Sequence, residues 1–163
     1  MDETFVGGKR KNKHKNDCNR PSGGRDAMGS GKIPVAGAVR RHGKVVARVI
    51  ENVDTSTLTE FVGESVSHRV SLLVTDAWKS YNKLERDFSH EVINHYQGEY
   101  VVGAVHMNII EGFWSIFKCG VVGTYHKVSR KYLLLYVAEF QFRYNNRENA
   151  DIFEAAIRGC WPC

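Results

Sequence analysis

Three acidic residues stand in settings where a carboxylate suggests chemistry. Asp2 opens the β-prone stretch Thr4-Phe5-Val6. Asp76 ends Ser71-Leu72-Leu73-Val74-Thr75-Asp76, a short apolar run of the kind found in a fully buried strand. Glu111 lies within His106-Met107-Asn108-Ile109-Ile110-Glu111-Gly112-Phe113-Trp114, where its neighbours are mostly apolar. Burying a carboxylate at the end of an apolar strand is unfavourable unless something pairs with it. Three converging carboxylates also repel one another, and a divalent cation removes both difficulties. Mg²⁺ (or Mn²⁺) prefers oxygen ligands and keeps waters or substrate phosphate oxygens in its shell. Two such ions, about 3.5–4 Å apart, clamp a phosphodiester: one activates the attacking water or 3′-hydroxyl, the other stabilises the leaving oxygen.

The segment around Glu111 adds detail. At about 100° per residue, Asn108, Glu111, Ser115 and Lys118 share one helix face. Asn108 offers a neutral oxygen ligand, and Lys118 a contact to a phosphate or base near the scissile bond. A solvated lysine favoured by the helix C-terminus is the alternative for Lys118. Ile109, Ile110, Phe113, Trp114 and Phe117 form the packing side. His106 is either a metal or phosphate neighbour or a capping residue. Trp78 and Tyr81, just after Asp76, read as core in preference to base-stacking.

A polyanionic partner is also indicated by charge. The chain of 163 residues carries a net charge of +5, unevenly distributed. Residues 7–25 hold Lys9, Arg10, Lys11, Lys13, Lys15, Arg20 and Arg25 against one acid, Asp17. Gly, Asn and Ser interleave these charges, as suits a loop that binds nucleic acid; a solvated loop that aids solubility is the alternative. No run of about 18 apolar residues exists to cross a membrane, and no signal peptide precedes the first strand. The four cysteines, Cys18, Cys119, Cys160 and Cys163, show no disulfide framework. An intracellular protein, cytoplasmic or nucleoid-associated if bacterial, is expected. Cys160-Trp161-Pro162-Cys163 is a lone CxxC, and structural zinc would need a second ligand pair. Cys18 with His14 is a poor one.

The elements that position these residues follow from pattern. Residues 2–7, 33–41 and 44–52 read as three antiparallel strands, the last two joined by a short turn at His42-Gly43. The basic loop 8–31 is inserted between the first and second. Asp54 or Thr55 caps a helix to about Val66. Residues 71–76 form the buried strand, 77–86 a helix and 90–94 a fifth strand. A long helix runs from about Val105 to Lys118 and is broken by Gly120-Val121-Val122-Gly123. A last helix spans about Ser129–Asn145, with Leu133, Leu134, Val137, Phe140 and Phe142 as core candidates. This order gives an α/β fold, a mixed five-stranded sheet flanked by helices, and matches the ribonuclease-H-like arrangement. The domain is expected over 1–158, with 159–163 as a tail. There the first strand lies beside the fourth and a late helix crosses the pair, so Asp2, Asp76 and Glu111 surround one cleft, at the carboxyl end of the buried strand.

The blocks Met1–Lys9, Leu72–Tyr81 and His106–Glu148 resemble the catalytic domain of DDE-type insertion-sequence transposases. They are similar to the bacterial group related to the eukaryotic Merlin elements. The resemblance implies a metal-dependent DNA nuclease and strand transferase that acts on terminal repeats and target DNA, as a homodimer or larger synaptic assembly. It matches Asp2 and Asp76 to the first two catalytic acids and leaves Glu111 or Asn108 as the third ligand, with Lys118 as the basic residue seven positions on. It also implies a zinc-ribbon or helix-turn-helix region ahead of the first strand. With Met1 directly before Asp2, the expectation is a shortened copy without that DNA-binding region. An inactive remnant that only binds DNA, and a plain nuclease of the same fold, are the alternatives.

Overall fold

A computed structural model describes residues 1–7, 32–41, 43–67, 70–76, 81, 88–93, 108–125 and 128–160 of the chain. The seven basic residues of 9–25, His14, Cys18, Trp78, most of the 77–86 helix, His106 and Cys163 lie outside the described residues.

Strands β1 (Asp2–Val6), β2 (Ile33–Val39) and β3 (Val45–Val49) form an antiparallel sheet in the order β1-β2-β3. Its register pairs Asp2 with Gly37 and Val6 with Ile33, then Gly37 with Ala47 and Val39 with Val45. Strands β4 (Leu73–Asp76) and β5 (His90–Ile93) pair in parallel as a second sheet. The expected single five-stranded sheet is therefore divided among the described residues into three strands and two. The two sheets meet where the Met1 α-amino group donates to the Val74 carbonyl at 2.7 Å. That bond falls just ahead of β1, not along it, so the repeated pairing that makes a ladder does not develop there.

Strand alternation gives the sheets two apolar faces. On one, Ala36, Met1, Ile50, Val53, Leu73 and Tyr81 pack with Leu58, Phe61 and Val62 of helix α1 (Thr55–Ser65). Asp54 caps that helix: its Oδ1 accepts from the Thr57 amide at 2.8 Å, as an N-cap acid should. On the other face, Val6, Val35 and Val45 pack with two helices, α2 (Asn108–Cys119) and α3 (Leu133–Asn145). Ile110, Phe113, Trp114 and Phe117 supply the apolar side of α2; Leu133, Val137 and Phe140 supply that of α3. Leu134, expected in the core, is 57% exposed, because the buried stripe takes the phase of Leu133, Val137 and Phe140. Phe142 is half-buried. The expected break at Gly120 is instead a change of pitch, with Gly120–Thr124 continuing α2 as a π-helical turn. A Cβ on Gly120 would stand 2.1 Å from Cζ of Phe140, so only glycine lets the two helices approach there. A further helix, α4 (Ile152–Cys160), was not expected from the sequence.

Helix α3 also covers the open edge of β3. Asn145 Oδ1 accepts from the Val45 amide at 2.7 Å, while its Nδ2 donates to the Val45 carbonyl at 2.9 Å. One turn earlier, Gln141 Oε1 accepts from the Ala47 amide at 2.7 Å. Two carboxamides thus stand in for a neighbouring strand, satisfying edge groups that would otherwise invite another chain.

Candidate active site

The acids reach one face by the same alternation. On β1, Asp2 shares its side with Val6, which packs against α2 and α3. On β4, Asp76 shares its side with Val74, which packs against the same cluster. Glu111 is in the first turn of α2, the helix that lies on this face. Trp114, one turn after Glu111, sets the position of α2: its ring occupies the space above Gly37, the residue paired with Asp2. A Cβ at Gly37 would come within 2.5 Å of Trp114 Cζ2.

The charges of the other two carboxylates are felt at Asp2. Burial, and next the negative charge of Asp76, push Asp2 up to about 6; Glu111 adds to the rise, while the Glu3 amide and the α-amino group oppose it. Burial holds the Met1 α-amino group down at about 6, although Asp2, Asp76 and Glu3 all pull it upward. Asp2 and Asp76 are thus the strongly coupled pair, and Glu111, exposed on its helix, is the weaker third member. Asn108, the first residue of α2, is exposed on the same side, as are Ser115 and Lys118 in the last turn. Ile110, Phe113, Trp114 and Phe117 are buried.

Among the described residues, no three His, Cys, Asp or Glu side chains are gathered at ligand spacing. The donor set still suits a hard divalent cation. Its members are carboxylate oxygens, one of them, on Asp2, raised to about 6 by burial and then by Asp76. Mg²⁺ commonly takes one or two protein carboxylates and completes its shell with water and substrate phosphate, so a closed protein cage is not what such an ion needs.

Glu3 carries weight that the sequence reading did not give it. It lies on the opposite side of β1 from Asp2, where the buried Tyr81 hydroxyl donates to Glu3 Oε2. Burial pushes Glu3 up to about 7; Asp76 and Asp2 add to the rise and the Tyr81 bond opposes it. The available signal was the doublet Asp2-Glu3: on a strand, one acid of the pair must face each layer. Two other polar atoms near this region, Thr4 Oγ1 and Trp114 Nε1, are buried without a hydrogen-bond partner.

The described residues that flank the basic segment lie at the other end of the β1–β2 pair from Asp2. Gly7 and Lys32, which flank residues 8–31, adjoin the Val6–Ile33 end of the β1–β2 pair, whereas Asp2 and Gly37 mark the other end. Among the described residues, no helix is long and apolar enough to cross a membrane.

The family model described as the ISXO2-like transposase domain matches residues 1–145. No curated protein and no solved structure matches the chain. The matched span contains β1 to α3, with Asp2, Asp76, Asn108, Glu111 and Lys118.

Proposed function

The chain belongs to the ISXO2-like transposase domain family, insertion-sequence transposases of the DDE type, and on that premise we propose that it is a catalytic domain of ribonuclease-H-like arrangement. Its reaction is metal-dependent cleavage of phosphodiester bonds at element ends, followed by strand transfer to target DNA. Asp2 and Asp76 hold the cation, with Glu111 or Asn108 as the third oxygen donor. The observation that supports this reading is that Asp2, on the α2 face of the sheets, is buried and feels the charges of Asp76 and Glu111. A bound Mg²⁺ or Mn²⁺ would supply Lewis-acid activation of the nucleophile and stabilisation of the leaving oxygen. The protein's own part is to hold the acids beside the substrate phosphate and to orient that phosphate, with Lys118 in reach of the DNA backbone.

Nicking of supercoiled plasmid in Mg²⁺ or Mn²⁺ tests the reading. The wild-type chain is expected to nick, and Asp76→Ala to lose the activity. Equal nicking by both, or none by either, overturns the catalytic assignment. Transfer of pre-cut element ends into target DNA then separates a transposase domain from a plain nuclease.

A further inference from the structure

We infer that the tip of the β2–β3 hairpin is a DNA-backbone contact, in which Arg40, Arg41 and Lys44 hold phosphates a few nucleotides from the bond presented to Asp2. The inference rests on the phosphodiester-transfer reading for what Asp2 does, and on independent geometry for the hairpin. Asp2 pairs with Gly37, and three residues further along β2 the chain reaches Arg40. At about 3.4 Å per residue, that places the tip about 10 Å beyond the Asp2 register. This is the span of roughly three base steps along duplex DNA.

These residues carry charge that no ion pair among the described residues answers, as do the exposed Arg130 and Lys131. Arg48, Arg143, Arg147 and Arg158 are each ion-paired with a glutamate. Arg40, Arg41 and Lys44 are exposed, and none of them is in an ion pair among the described residues. Three uncompensated cations within five positions repel one another, and a polyanion relieves that repulsion by exchanging condensed counterions for fixed charge.

The tip is also held in place. The Gly43 amide donates to the Arg40 carbonyl at 2.9 Å, and the Arg40 amide to the Lys44 carbonyl at 3.1 Å. Val45, next to Lys44, is gripped by Asn145 through both of its backbone groups. The cations therefore sit on a braced turn at the Asp2 end of the sheet.

Binding of a short fluorescent DNA duplex, measured against salt in EDTA, tests this without requiring catalysis. The variant Arg40→Ala/Arg41→Ala/Lys44→Ala should bind roughly tenfold more weakly at low salt, with a logarithmic salt slope shallower by about 2–3. Arg130→Ala/Lys131→Ala/Arg158→Ala removes the same charge elsewhere and should leave the slope nearly unchanged. Arg40→Lys/Arg41→Lys should retain the wild-type slope. An unchanged slope in the hairpin variant, or an equal loss in both triple variants, overturns the inference. Because no metal is present, that outcome is read independently of whether the wild type nicks plasmid.

Discussion

The indole of Trp114 occupies the space that a side chain on Gly37 would need, and this contact sets the height of α2 above the strand that pairs with Asp2. Both ring atoms nearest the missing Cβ, Cζ2 and Cη2, would lie within 2.8 Å of it. An aromatic ring packed among Ile110, Phe113 and Phe117 has little room to retreat. Gly37→Ala should therefore lift α2 and carry Glu111 away from Asp2. Overpacking of this kind costs about 1–3 kcal/mol, which urea denaturation will read as a lower midpoint. Plasmid nicking should fall further than the loss of folded protein accounts for. A variant as stable and as active as wild type would show that α2 is not positioned by this contact.

Asp2 should make the metal-free protein less stable as pH rises. Its folded-state value is raised from 3.8 to about 6, by burial and then by Asp76. A raised acid contributes stability that is fully present below the unfolded value and is lost as pH climbs through the folded one. Asp2→Asn should match wild type near pH 4 and exceed it above pH 6, by on the order of 2 kcal/mol. Thermal melts in EDTA across pH 4–8 measure the divergence. Parallel curves would mean that Asp2 lacks the buried, acidic surroundings described.

Removal of the Asn145 carboxamide should leave both backbone groups of the fully buried Val45 without partners. Leaving buried backbone groups unsatisfied costs about 1–3 kcal/mol each. Asn145→Ala is expected to lose about 2 kcal/mol in chemical denaturation and to expose the β3 edge, seen as faster aggregation on warming. Asn145→Asp should be no better: a carboxylate accepts from the Val45 amide but repels its carbonyl. Wild-type stability in both variants would mean that water serves the edge equally well.

Thr4→Val is predicted to stabilise the protein. The Thr4 hydroxyl is buried on β1 with no hydrogen-bond partner, and valine has nearly the same shape. Removing an unsatisfied buried hydroxyl recovers about 1 kcal/mol of desolvation. A lower melting temperature for Thr4→Val would instead reveal an ordered water on that oxygen.

What could be read from the sequence was what local pattern encodes. A cap at Asp54 or Thr55, the β-rich runs and the amphipathic face of α2 needed only nearest neighbours, and the acids stood out because apolar residues surround them. Long-range geometry was not legible. Met1 meets Val74 across a separation of 73 positions, and nothing local specifies that the two sheets touch there and not along β1. The run Leu133-Leu134-Leu135 left the phase of α3 open, and packing against β3 resolved it by burying Leu133. Helix α4 was legible and overlooked: Asp151 Oδ1 accepts from the Glu154 amide at 2.7 Å, the Asp-x-x-Glu spacing of a helix start.

The third oxygen donor can be decided by the effect of cation on stability, independently of turnover. Asp2 and Asp76 repel in the metal-free protein, so a divalent cation that binds both should stabilise the folded state by mass action, by about 2.7 kcal/mol at a hundredfold excess over Kd. Mn²⁺ is expected to raise the wild-type melting temperature, and Asp76→Asn to abolish the shift. Glu111 and Asn108 then make opposite predictions. If Glu111 is the ligand, Glu111→Gln shrinks the Mn²⁺ shift and Asn108→Ala leaves it intact; if Asn108 is, the pattern reverses. The exposure of both residues on α2 makes either change mild for folding, so the comparison reads cation affinity alone. An undiminished Mn²⁺ shift in Asp76→Asn would place the cation elsewhere and remove the acid pair from the reaction.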